Sequence, residues 1–355
     1  MEASRKPLRI VVAGATGNIG TSVVAALESD PGVGNVVALS RREPPAVGSK
    51  VEWIRTDVAA DDLVTRVMSA DAVINLAWLF QPTHDPATTW RNNVLGSIRL
   101  FEAVAAAGVP SLVHASSVAA YSPHQDRQPV KEHWPTNGWP GAAYSREKAY
   151  LERHLDAFEH QHPNIRVVRM RTAFCFKHES ASQQRRLFMG PLTPNRLIRP
   201  DLLPALPLPK GIRFQAVHTD DVGEAYRLAA LSEHSGAFNV AAEPLIDAEV
   251  LAALFGTRTI EIPNSLVRNA LAVAWNLHLV PASPGLFDAF AQLPVMDTSR
   301  ARDTLGWEPR RSSTDAVSAF LRGLRVSAGG TSPPLRPRVP GGRWHELRTG
   351  VGQRP

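Results

Sequence analysis

The chain has 355 residues, 44% of them hydrophobic, a formal net charge of +6 and a single cysteine, Cys175. That length and composition describe a globular chain with room for one large α/β domain and a smaller appendage. They exclude an intramolecular disulfide, and no run of about 18 apolar residues is present to span a membrane. Residues 1–7 are polar and lack the apolar core of a secretion signal. With the lone cysteine, this suits the cytoplasm.

Arg9-Ile10-Val11-Val12-Ala13 reads as a buried strand, Gly14-Ala15-Thr16-Gly17-Asn18-Ile19-Gly20 as a glycine turn, and residues 21–27 as the helix that follows. Strand, turn and helix in this order build a pyrophosphate site. Gly14 permits the tight turn, Gly17 lets the backbone approach the phosphates, and Gly20 lets the helix sit close to the strand. The phosphates would face the helix N-terminus and its free N–H groups. A plain strand–helix turn is the other reading of three glycines; the flanking elements favour the dinucleotide.

Asn35-Val36-Val37-Ala38-Leu39-Ser40 is a second strand, ending where a ribose-reading residue belongs. An acid there would bond the ribose hydroxyls of NAD. Ser40-Arg41-Arg42 instead suits a 2′-phosphate, which favours NADP, with NAD as the alternative. The plainer reading makes both arginines solvated loop charges. Residues 51–55 form a third strand, after which Asp57 could accept from an adenine amino group or cap the next helix. Residues 71–77 form a fourth, whose small Ala77 allows backbone close to the cofactor. Trp78 and Phe80 follow, as pocket lining if exposed and as core otherwise.

Residues 90–107 carry a helical apolar stripe, with Asn92 and Asn93 near its start, placed for a local cap or for the site. Residues 111–115 form a fifth strand with Ser116-Ser117 at its carboxyl end, where open α/β sheets place ligands. Residues 121–141 are a long irregular loop, a candidate lid. In Tyr144-Ser145-Arg146-Glu147-Lys148 the tyrosine and lysine share one helix face. An ammonium near a phenol lowers its pKa, which would let Tyr144 pass a proton while hydride moves. A chance pair on a solvated face is the competing reading.

Residues 165–170 form a sixth strand leading into Arg171-Thr172-Ala173-Phe174. Residues 180–211 then break the rhythm with many prolines, which exclude a long helix or central strand and suggest a substrate cap. Arg185, Arg186, Arg196 and Arg199 lie in that stretch. Strands at 214–219, 236–240 and 259–262 alternate with helices at 222–231, 247–255, 266–277, 297–306 and 315–325. His218, alone at a strand end, reads as structural. Beyond Ser327 a Pro/Gly-rich tail carries Arg336, Arg338, Arg343, Arg348 and Arg354 and is expected to be disordered. No recognition motif accompanies its charge, so no nucleic-acid partner is expected. No His, Cys or carboxylate cluster has metal-ligand spacing. The expected division is 1–178 with 212–242 for the dinucleotide, 179–211 with 243–326 as cap, and 327–355 as tail.

Taken together, these motifs resemble an extended short-chain dehydrogenase/reductase of the NAD(P)-dependent epimerase/dehydratase family, across about residues 8–325. The resemblance rests on the glycine turn, Asp57-Val58, Asn75-Leu76-Ala77, Asn93-Val94-Leu95-Gly96-Ser97, Ser116-Ser117 through Tyr121, Tyr144 to Lys148, Val217 through Val222, and Leu305-Gly306-Trp307-Glu308-Pro309. It implies a Rossmann-type doubly wound parallel sheet with a smaller, mostly C-terminal α/β substrate domain. It also implies Tyr144 as general acid/base, Lys148 lowering its pKa and holding the nicotinamide ribose, and Ser117 on the substrate oxygen. Asp57 and Val58 would hold adenine, Leu76 and Ala77 the cofactor backbone; Asn93 would support the site, and Arg171-Thr172 would pass the nicotinamide. A homodimer through the helices at 90–107 and 144–160 is implied too.

Three features depart from the family pattern: Trp78 where Gly or Ala is usual, Thr172 where Pro is usual, and the apolar insertion at 180–211. Ser117, Trp78, Phe80, Phe174 and Arg185 are the candidate substrate contacts. The family points to a nucleotide sugar, the apolar insertion to an apolar alcohol or ketone of steroid or polyketide kind. A non-catalytic NAD(P) sensor is the reading from another class.

Overall fold

The computed structural model describes residues 6–42, 48–124, 128–193, 204–338, 342–344 and 351. Arg196, Arg199, Arg348 and Arg354 lie outside the described residues. Seven strands make the central sheet: β1 (Leu8–Ala13), β2 (Val33–Ser40), β3 (Val51–Arg55), β4 (Ala72–Asn75), β5 (Ser111–Ser117), β6 (Arg166–Thr172) and, later in the chain, a strand at Gly236–Val240. All pairs are parallel, in the order Gly236–Val240, β6, β5, β4, β1, β2, β3. This is the doubly wound Rossmann-type arrangement expected. The chain reverses direction across the sheet between β1 and β4, so a crevice opens at their carboxyl ends.

Both faces of the sheet are covered, which is why its strands read as near-continuous apolar runs. One core gathers Ile10, Val12, Ile74, Val113 and Phe238 against the helices Asn18–Glu28 and Thr219–Leu231. The other gathers Val11, Leu39, Leu112, Phe101 and Leu155 against Gly96–Ala106 and Ala143–Gln161. Gly223 lets the first pair of helices touch: a Cβ there would lie 2.6 Å from the Ser22 carbonyl oxygen.

A smaller three-stranded sheet joins Phe174–Phe176, Arg213–His218 and Ala242–Asp247, and Ala205–Pro209 pairs with Arg258–Ile262. Pro207 and Pro209 therefore sit in a two-stranded edge, where a missing N–H is tolerated. The start of the insertion is more ordered than its composition suggested. Residues 178–189 form consecutive helical turns, with Arg185 and Arg186 buried. The helix expected over 90–107 is interrupted by a π-helical turn at Arg91–Leu95, which re-aims Asn93 into the structure. Packing also continues beyond Ser327: Ser332 and Leu335 are buried, against the disorder expected there from composition. Leu335 supplies an apolar anchor that the Pro/Gly/Arg content of the tail conceals. No described helix is long and apolar enough to cross a membrane.

Candidate active site

The crevice at the β1/β4 reversal is a cleft of about 590 Å³. Gly14, Thr16 and Gly17 line its floor. Gly14 has φ +82°, and a Cβ on it would meet Leu76 and Ala77 backbone at 2.7 Å. A Cβ on Gly20 would lie 2.3 Å from the Gly14 carbonyl oxygen, so Gly20 sets the packing of the helix on the turn. Gly17 differs: its Cβ would meet only Gly14 O, at 3.4 Å, so the space above it is open to a ligand. Gly17 is also the N-cap of Asn18–Glu28 and offers no side-chain cap. The first-turn N–H groups therefore lack a side-chain acceptor from the cap position, the condition for holding an anion. A glycine cradle and an uncapped helix end fit a pyrophosphate.

Further along the cleft, Ser40, Arg41, Arg42 and Arg55 stand at the ends of β2 and β3 beside Asp57, Val58 and Asp61. The Ser40 hydroxyl donates to the Arg42 carbonyl at 3.0 Å and shapes the arginine pair. Asp57 lines the cleft, and its carboxylate accepts from the Ala59 N–H at 3.0 Å within a turn; it does not cap the next helix, Val64–Val67, whose N-cap is Leu63. Leu76, Ala77 and Asn93 line it as expected. Asn92, one of the two asparagines placed for a cap or for the site, and Arg186 line it too, while Arg55, Gln81, Gln183 and Pro334 also line it and were missed. For Arg55 the signal was available, since it ends a parallel strand on the ligand-binding edge.

Asn18, Ile19 and Gly20 do not line the cleft; the Asn18 amide donates to the Cys175 carbonyl at 3.0 Å. Arg171, expected beside the nicotinamide, is instead buried in an ion pair. Its Nε and Nη2 donate to the two Glu152 carboxylate oxygens at 2.8 Å each, and its Nη1 donates to Tyr121. Burial favours this, because two desolvated charges need each other's hydrogen bonds. Thr172 is buried at the adjoining end of β6 and does not line the cleft.

Tyr144, Ser117 and Lys148 come together behind the cleft wall. The Ser117 hydroxyl lies beside the Tyr144 phenol and pulls its pKa down, and its oxygen accepts from the Ala119 N–H at 3.1 Å. Lys148 Nζ donates to the Ala115 carbonyl at 2.5 Å and lies 3.4 Å from the centre of the Trp78 ring. Trp78 meets Tyr144 edge-on at 5.6 Å, and Phe80 stacks on Tyr144 at 5.2 Å. Trp78, Leu79 and Phe80 thus partition the cleft from a small chamber of about 60 Å³, on whose wall Tyr144 lies. The Trp78 indole N–H is buried with no hydrogen-bond partner among the described residues.

Asn93 fixes this partition. Its carbonyl oxygen accepts from Leu79 N–H at 2.7 Å, and its amide donates to Leu79 O at 2.8 Å and to Glu147 at 2.7 Å. Thr89 donates to the same carboxyl group at 2.6 Å. Burial pushes the Glu147 carboxyl up, against these two hydrogen bonds.

The titration expected of Tyr144 is reversed. Burial pushes its phenol up to about 12, and the neighbouring Ser117 hydroxyl offsets only part of this. The same burial pushes Lys148 down to about 7, against the pull of Glu147 and Glu152. With its ammonium turned to the indole and 5.9 Å from the centre of the phenol ring, Lys148 does not favour the phenolate here. Phe174 is also elsewhere, in a cluster with Phe176, Phe214 and Phe290. Arg185 donates to the Gly190 carbonyl at 2.9 Å and lines neither the cleft nor the chamber. His218 accepts from the Asp220 N–H at a helix start, as a structural residue. The described residues hold no cluster suited to a metal ion.

The sequence model of the NAD dependent epimerase/dehydratase family matches residues 10–241. An uncharacterized protein of Mycobacterium tuberculosis is 24% identical over 99% of this chain and 92% of its own length. A protein of Lactobacillus helveticus named UDP-glucose 4-epimerase is 25% identical over 88% of this chain and 95% of its own. The solved structure of the Thermus thermophilus UDP-glucose 4-epimerase complex with NAD superposes with a TM-score of 0.66 at 21% identity, covering 90% of this chain and 99% of that one.

Proposed function

This chain belongs to the NAD dependent epimerase/dehydratase family, and from that membership we propose that it catalyses hydride exchange between a nicotinamide dinucleotide and a substrate hydroxyl or keto carbon. Tyr144 is the general acid/base, Ser117 bonds the substrate oxygen, and Lys148 is the cation behind them. The observation that carries this reading is the Ser117 hydroxyl beside the Tyr144 phenol, across the Trp78–Phe80 wall from an open glycine-floored cleft. A sensor has no chemical need for that pair.

Gly14, Thr16 and Gly17 would hold the pyrophosphate, Asp57 and Val58 the adenine, and Ala77 the adjoining backbone. The bound dinucleotide supplies a hydride donor or acceptor. The residues of the chain do the rest. In the reducing direction Tyr144, held neutral by burial, gives its proton to the carbonyl oxygen that Ser117 orients. In the oxidising direction the phenol must first lose that proton, which a solvated Lys148 ammonium close by would assist.

The cofactor is assigned as NADP(H), with NAD as the alternative. Arg41, Arg42 and Arg55 converge on one end of the cleft, as a 2′-phosphate requires. The named relatives favour a nucleotide sugar as substrate. The chamber favours a second reading, an apolar alcohol or ketone. Its wall carries Trp78, Leu79, Phe80, Leu187, Phe188 and Leu286 beside Tyr144, and Glu147 is the one charged lining residue among the described residues. A homodimer through the helices around residues 90–107 and 144–160 belongs to the same reading, supported by the exposure of Leu95 and Tyr150 there.

Tyr144→Phe tests the assignment. It should lower turnover at least about 100-fold while leaving dinucleotide affinity within about twofold. Unchanged turnover removes Tyr144 from the chemistry. Mass spectrometry of copurifying small molecules identifies the cofactor and tests for retained nucleotide sugar.

A further inference from the structure

The cleft has a wall from an unexpected part of the chain. After its last long helix, Ser313–Val326, the chain turns back to the glycine bend. The Ser332 hydroxyl donates to the Thr16 carbonyl at 2.9 Å, although 316 residues separate them. Pro333 and Pro334 then stand on the rim of the cleft. Arg186, which also lines the cleft, donates to the Pro334 carbonyl at 2.8 Å.

The turn is built to hold this position. Ser182 N–H donates to the Ala328 carbonyl at 3.1 Å, and Gly330 and Leu335 close a loop through N–H donation at 2.9 Å. Side chains are excluded where the two limbs of the loop meet: a Cβ on Gly329 would lie 2.3 Å from Leu335 O. Leu335, 2% exposed, anchors the far end. Two prolines in sequence stiffen the part that faces the ligand.

We propose that residues 328–335 are a strap that closes the pyrophosphate end of the cleft and slows release of the bound dinucleotide. The proposal rests on the cofactor reading above and goes beyond it, because it makes retention a property of the C-terminal segment. A dinucleotide held by Gly14–Gly17 would share the cleft with Thr16, Pro333 and Pro334. Exit past that side requires the Ser332–Thr16 bond to open or the strap to lift. Fast release and slow release then differ by the docking of one short segment, with no change at Tyr144.

The test uses the full-length protein with NADPH and NADH as probes. Dissociation of each is followed by stopped-flow displacement, reading nicotinamide fluorescence. Ser332→Ala removes the bond to Thr16, and Leu335→Ala loosens the anchor without touching the cleft. Both should raise the dissociation rate, Leu335→Ala by about tenfold, while association changes less. Hydrogen exchange at residues 328–335 should slow when the dinucleotide binds. Unchanged dissociation in both variants, with normal wild-type binding, overturns the strap alone. Failure of the wild type to bind either nucleotide overturns the cofactor reading and the strap with it. Should Leu335→Ala prove unfolded by circular dichroism, Ser332→Ala and the exchange measurement on the wild type decide.

Discussion

The Lys148 ammonium rests against the face of the Trp78 indole, 3.4 Å from its centre, with the Ala115 carbonyl as its hydrogen-bond acceptor. A contact of this kind contributes about 0.5–2 kcal/mol, more when desolvated. It leaves the ammonium sheltered from the cleft, and shelter from water is the main reason Lys148 is pushed down to about 7.

Removing the indole should therefore return Lys148 towards its ordinary range. In the wild type, a titration near pH 7 should modulate NADPH affinity between pH 6 and 9. In Trp78→Ala that inflection should move up by at least about one unit, as water reaches the ammonium. Isothermal titration across this range measures it. An inflection left at the same pH would mean that Trp78 does not shelter Lys148.

The guanidinium cluster makes a prediction about cofactor choice. Arg41→Ala should weaken NADPH by about tenfold or more, because a charge-assisted contact to a 2′-phosphate is worth roughly 1.5–3 kcal/mol. NADH should change by less than about twofold. Equal losses would place Arg41 outside the 2′-phosphate site and return the assignment to NAD.

Asn93 joins the Tyr144 helix, through Glu147, to the backbone of Leu79. Asn93→Ala should destabilise the fold by about 1–3 kcal/mol, since it strands a buried carboxyl group and the Leu79 amide. Urea unfolding measures the loss. Asn93→Asp should cost more, because it sets a second carboxylate against Glu147.

The buried pair of Glu152 and Arg171 governs acid stability. Burial pushes the Glu152 carboxyl up, but the hydrogen bonds and charge of Arg171, with Ser116 and Arg169, pull it down to about 2. The folded form thus holds its carboxylate more strongly than the unfolded chain does. The stability this supplies is complete above about pH 4.5 and is lost as pH falls towards 2. Glu152→Ala should cost about 3–5 kcal/mol at pH 7, by leaving Arg171 buried without its partner. It should also flatten stability between pH 4.5 and 2, which thermal unfolding at a series of pH values reads directly.

The elements that repeat locally could be read from the residues. The apolar run before Gly14, the glycines themselves and the Tyr144–Lys148 spacing each depend on neighbours within a few positions, so the sheet and the cleft floor were legible. What escaped depends on contacts far apart in the chain. Nothing beside Trp78 says that its ring will lie on Lys148, seventy residues later. Arg171 follows a strand that reaches the ligand edge, yet it turns to Glu152 because a buried guanidinium needs a carboxylate. The expected phenol–ammonium pairing assumed that proximity would dominate, whereas burial outweighs it and moves both groups the other way. Composition marked residues 328–335 as tail, because two prolines, two glycines and little apolar content conceal one well-placed leucine.

The seat of Ser332 on Thr16 also sets an order of events during synthesis. The bend at Gly14 leaves the ribosome some three hundred residues before its closing partner. A nascent chain can lay down its parallel strands and still present an open-sided groove. The groove gains this wall only once Ser332 has emerged.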